Sequence, residues 1–239
     1  MSLRVVFLEV AATLVLFSAP GLAETLSKSG RFGGADVAYK VILPPGYDAA
    51  REYPTVLAFG GGSQTMDTVE RTLERNWRTE AERRGYIVVS PAAPNGDLFF
   101  WRGERIFPEF LDRILHDYKV QGGKFHIAGP SNGGVSAFHV AARFPQYFWS
   151  VTGFPGYFPE EDSDSNLDGL KKVCLYMHVG ELDSAWRPDM QQQAERLLQS
   201  GFKVRFFVEK GQEHGIATLA GDGARRLFDQ IAEAAKGCN

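Results

Sequence analysis

Cysteine is scarce in this chain: Cys174 and Cys238 are the only two among 239 residues. Two thiols so far apart cannot build a cysteine-based metal site. An excess of one charge is also lacking. Twenty-six Lys and Arg against twenty-nine Asp and Glu leave a formal net charge of −3, so no basic field is available to hold nucleic acid. No uninterrupted apolar run reaches the ~20 residues that a membrane helix needs, so no stable membrane span is expected, with an uncleaved helix or a membrane anchor at the N-terminus as the other reading. There is no internal repeat and no low-complexity block.

What is present suits a globular chain, with 44% hydrophobic residues over a length fit for one domain or at most two small ones. The first residues read as a secretory signal. Arg4 supplies the positive start, and residues 10–17 form an apolar stretch. Small residues in Ala19-Pro20-Gly21-Leu22-Ala23 then offer a cleavage site before Glu24. Glu9 is an awkward residue in such a segment. The expectation is a signal peptide over residues 1–23, then a single domain over residues 24–239, secreted or periplasmic.

Strand and helix patterns alternate along that domain. Strand candidates are residues 33–43, 54–59, 86–90, 125–128, 148–153, 173–179 and 204–208. Helix candidates are residues 66–84, 107–118, 132–144, 188–199 and 222–236. In the first of these, Val69, Leu73, Trp77 and Ala81 share one face. Such alternation implies an α/β architecture: a mainly parallel central sheet with helices on both faces. No large lid insertion stands out. Sites in such sheets lie at the C-terminal ends of the strands.

The strongest local signal lies at one such end. Gly129-Pro130-Ser131-Asn132-Gly133 is a G-x-S-x-G motif between a strand and a helix, the context of a nucleophile elbow. Gly129 and Gly133 have no side chain to clash in so tight a turn. A serine hydroxyl needs a base to take its proton. Of the five histidines, only His214 lies in a loop after the last strand. The base in turn needs an acid to fix its tautomer. Asp183 sits just past the preceding strand, with Glu181 and Asp189 as competitors. A tetrahedral intermediate needs two backbone N–H donors. One is expected from Asn132; the other from Gly61, with Gly62 next, in the loop Phe59-Gly60-Gly61-Gly62-Ser63.

These residues, together with Leu43-Pro44-Pro45-Gly46-Tyr47, Gly180-Glu181-Leu182-Asp183 and Glu213-His214-Gly215, resemble the α/β-hydrolase superfamily. The nearest branch is similar to secreted polyhydroxybutyrate-depolymerase-like and feruloyl-esterase-like serine esterases. The resemblance implies an α/β-hydrolase fold with Ser131, Asp183 and His214 as a catalytic triad. One departure is that many members carry a histidine before the oxyanion glycines, where this chain has Phe59.

The expected function is hydrolysis of a carboxylic ester, small or oligomeric, through an acyl-enzyme on Ser131, with no metal or organic cofactor. A peptidase or acyl transferase on the same three residues is the alternative, and a non-catalytic binding protein keeping the fold is the third reading. Trp101, Tyr157 and Trp186 are the expected substrate contacts, from aromatic-rich loops that also contain Phe99, Phe100, Phe154 and Phe158. The closing helix must run back against the strands, which brings Cys238 to the face where Cys174 begins its strand. An exported compartment permits a bridge there. A buried Cys174 with a free terminal Cys238 is the other possibility.

Overall fold

The computed structural model describes residues 23–160, 162 and 167–238. The signal-peptide segment, apart from Ala23, lies outside the described residues. Eight strands form one sheet in the order β1-β2-β4-β3-β5-β6-β7-β8. They are β1 (Glu24–Phe32), β2 (Ala35–Leu43), β3 (Thr55–Ala58), β4 (Ile87–Pro91), β5 (Phe125–Gly129), β6 (Phe148–Gly153), β7 (Cys174–Gly180) and β8 (Lys203–Glu209). β1 and β2 pair antiparallel, as do β2 and β4; every other pairing is parallel.

The sequence patterns miss β1. It is an edge strand whose Ser27, Lys28 and Ser29 carry little apolar signal. Gly33 and Gly34, read as the start of a strand, instead form the hairpin turn before β2. Both have positive φ, at 53° and 77°, as the tightest hairpin turns require.

The sheet's two faces bury two separate sets of side chains because strand residues alternate between faces. Leu57, Ile87, Val89 and Ile127 point into one cluster with helices α3 (Phe107–Asp117), α4 (Asn132–Arg143) and α5 (Arg187–Gln199). Val56, Ala58, Val88 and Ala128 point into the other, under α1 (Met66–Thr72), α2 (Arg78–Arg84) and α6 (Arg225–Ala234). Among the described residues no helix is long and apolar enough to cross a membrane.

Residues 66–84 do not form one regular helix. A π turn, Leu73–Trp77, separates α1 from α2. Apolar residues spaced strictly four apart drift by about 40° per step around an ordinary α-helix. The wider turn takes up that drift, and Val69, Leu73, Trp77 and Ala81 are all buried. Trp77 meets Phe154 and Phe228 edge-on, with ring centroids at 6.0 and 5.6 Å.

Cys174 and Cys238 are bridged, with 5.9 Å between their Cα atoms. The bridge ties the start of β7 to the chain beyond α6. Two free thiols are therefore not what the structure shows.

Candidate active site

Ser131 stands between β5 and α4 with φ 54° and ψ −125°. That region is sparsely populated for a residue with a Cβ, and such strain is usually held at functional turns. Neighbouring backbone holds it in place. The Ser131 N–H donates to the Pro155 carbonyl at 2.8 Å, and the Gly133 N–H to that of Pro130 at 2.8 Å. A Cβ on Gly133 would lie 2.6 Å from the Gly60 carbonyl oxygen, so only glycine lets α4 start against the loop after β3.

The ends of β5, β7 and β8 share one rim, and three side chains meet above it. His214 Nε2 lies 2.8 Å from Ser131 Oγ, and His214 Nδ1 lies 2.7 Å from Asp183 Oδ2. The Trp186 N–H donates to the other Asp183 oxygen at 3.2 Å. Asp183 is buried while the His214 ring is 43% exposed, so the carboxylate is fixed and the imidazole faces incoming groups. Among the described residues neither competitor bonds to His214. Glu181 accepts from the Gly211 N–H at 2.9 Å, and Asp189 opens α5.

The loop after β3 lies beside Ser131. A Cβ on Gly61 would be 3.1 Å from the Pro130 oxygen and 3.8 Å from Ser131 Cβ. Among the described residues neither the Gly61 nor the Asn132 N–H has a backbone acceptor. The Asn132 side chain donates to the Gly62 carbonyl at 2.9 Å, which pins the loop to the start of α4. Phe59 does not enter the site. It is fully buried and packs on Phe99 and Phe107 at 4.9 and 5.4 Å.

Sequence reading misses Gln64. This residue is fully buried and adopts a positive φ of 54°. Its Nε2 donates to Ser136 Oγ at 2.8 Å, its Oε1 accepts from the Phe99 N–H at 3.0 Å, and its own N–H reaches the Gly61 carbonyl at 3.2 Å. One side chain thus locks the glycine loop, α4 and the loop after β4 together. A lone glutamine after a glycine run carries no periodic or motif signal, so nothing in the sequence marks it.

No protein-family model matches the chain. Over 137 residues, 52% of this chain, it is 27% identical to dipeptidyl-peptidase 5 of Porphyromonas gingivalis, but the match spans only 20% of that protein. Among solved structures, the carboxylesterase EstE1 from a metagenomic library superposes with a TM-score of 0.69 at 17% identity, covering 93% of this chain and 92% of its own. A ferulic acid esterase superposes at 0.67 and 18% identity, covering 92% of this chain and all of its own. At these identities the likeness is one of fold.

The chain has the α/β-hydrolase fold.

Two hollows open near this rim, and the smaller reaches the Ser131 hydroxyl. The larger, about 1100 Å³, is lined by Phe100, Asn132, Val135, Tyr157 and Trp186 among others. The smaller, about 340 Å³, includes Ser131, His214, Gly61, Phe154 and Ile216. Trp186 meets the His214 ring edge-on at 4.8 Å and Tyr157 at 5.2 Å. Burial, with the Asp189 and Glu160 carboxylates nearby, holds the Tyr157 phenol above its ordinary pKa and keeps it neutral. Trp101 stands apart from these two aromatics. It lines neither hollow and is 63% exposed, with Arg102 over its ring at 5.3 Å. Its neighbour Phe100 takes that place because the backbone turns into a short helical segment just after Trp101.

Proposed function

We propose that the protein is an exported serine hydrolase that cleaves carboxylic esters. The observation that carries this reading is the hydrogen-bonded series Ser131–His214–Asp183 beside the Gly61 and Asn132 N–H groups, which have no backbone acceptor among the described residues. Ser131 Oγ attacks the ester carbonyl while His214 Nε2 takes its proton. Asp183, held by the Trp186 N–H, keeps the His214 Nδ1 proton on its own side and steadies the imidazolium. The Gly61 and Asn132 amides receive the oxyanion. His214 returns its proton to the leaving oxygen, and the C–O bond breaks to leave an acyl-Ser131. Water, deprotonated by His214, repeats the attack and frees the acid. Tyr157, Trp186 and Phe100 favour substrates with an aryl or medium-length group in the larger hollow.

Turnover of 4-nitrophenyl and aryl esters by the native protein and by Ser131→Ala tests this. The native protein is expected to turn over, and the variant to fall below about one hundredth of its rate. A variant that keeps more would overturn the assignment of the nucleophile. The likeness to a dipeptidyl-peptidase favours a second reading, a peptidase on the same residues. Release of 4-nitroaniline from dipeptide anilides faster than alcohol from esters would select it.

A further inference from the structure

The smaller hollow carries positive charge for which hydrolysis of a neutral ester has no use. Arg71 on α1 and Arg75 on the π turn stand four residues apart, and both line the hollow that opens onto Ser131 and His214. The carboxylates beside them are engaged elsewhere: Glu70 with Lys40 at 2.9 Å, and Glu74 with Arg78 at 2.7 Å. Among the described residues neither Arg71 nor Arg75 has an acidic partner. The wall is also braced. Asn76 Nδ2 donates to the Leu219 carbonyl at 2.7 Å, tying the π turn to the segment that follows His214. Phe154 and Ile216 supply the apolar part of the lining. A π turn beside a reaction centre is a common functional placement. Two guanidinium groups over such a surface suit a planar carboxylate, which the fork of arginine binds through paired N–H donors.

We propose that this hollow is an anion subsite, and that the substrate is an ester bearing a carboxylate a few bonds from the scissile carbonyl. The proposal rests on the serine-esterase reading and names the substrate class for it. The chain as a whole has a formal net charge of −3, so the attraction must be local to this wall.

Two matched pairs test it on the full-length protein. 4-Nitrophenyl hydrogen adipate against 4-nitrophenyl hexanoate places the charge on the acyl side. 4-Acetoxybenzoate against 4-acetoxybenzamide places it on the alcohol side. In at least one pair kcat/KM is expected to favour the charged member by about tenfold, mostly through KM. Added salt should shrink that ratio. In Arg71→Gln/Arg75→Gln the ratio should fall to about one, and in Arg31→Gln, on the edge strand, it should persist. The ratio is internal to each preparation, so loss of folded protein does not move it. Equal kcat/KM within both pairs, or a preference that survives the double variant, overturns the anion subsite alone. Absence of turnover on every ester overturns the esterase reading with it.

Discussion

Gln64 donates a 2.8 Å hydrogen bond to Ser136, joining the glycine loop after β3 to the helix that follows the nucleophile. The same side chain accepts from the Phe99 N–H. Gln64→Ala leaves that buried N–H and the Ser136 hydroxyl without their partner. We expect a loss of about 2 kcal/mol in unfolding free energy. Because the loop carries the Gly61 amide, kcat should also fall by roughly tenfold or more, with KM changed less. Denaturant titration and ester kinetics on one preparation check both. Unchanged kcat would separate Gln64 from the oxyanion loop.

The strain at Ser131 has a measurable sign. Glycine adopts positive φ freely, whereas alanine does so no better than serine. Ser131→Gly should therefore melt higher than Ser131→Ala, although both lack the nucleophile. Relief of such a backbone conformation is worth on the order of 1 kcal/mol. Equal melting temperatures would show that the elbow is not strained.

A half-buried ionic cluster precedes the loop that carries His214. Glu209 accepts from Arg226 at 2.7 and 2.8 Å, from Thr218 at 3.1 Å, and lies 2.9 Å from His178. Burial alone would raise the Glu209 pKa, but the bonds and charges of His178 and Arg226 outweigh it and bring it down to about 2. The unfolded chain, with an ordinary value of 4.5, therefore binds its proton first as pH falls. The stability from this group is complete above 4.5 and is lost as pH drops towards 2. Glu209→Gln should flatten that acid limb in a plot of melting temperature against pH. It should also cost about 1–2 kcal/mol at neutral pH, because the hydrogen bonds from His178 and Arg226 lose a charged acceptor. An unaltered acid limb would contradict this.

The Cys174–Cys238 bridge closes a separation of 64 residues. Reduction should lower stability by about 2–4 kcal/mol, read from the denaturant midpoint. The bridge ties the opposite end of β7 from Asp183. Hydrolysis by the still-folded reduced protein should therefore be unchanged. A midpoint that ignores reductant would rule out a stabilising bridge.

Much of this layout is legible in the sequence for physical reasons. Strands buried on both faces read as short apolar runs, which marks β3, β4, β5 and β7. The meeting of Ser131, Asp183 and His214 follows once parallel strands put their ends on one rim. Features that depend on packing across the chain are not legible. β1 is exposed at the sheet edge and shows no clear alternation. The π turn adjusts a helix to its neighbours, and Gln64 acts through partners far away in sequence. Trp101 and Phe100 are adjacent aromatics; which one faces the hollow depends on a backbone turn that composition does not encode.

The central claim is that Ser131 is a nucleophile activated by His214. Intact mass measurement after exposure to a fluorophosphonate tests it most directly, with peptide mapping of the adduct. One adduct per native chain is expected, located on Ser131, absent from heat-unfolded protein and strongly slowed in His214→Ala. No adduct on the native protein, or an adduct at another residue, would contradict it.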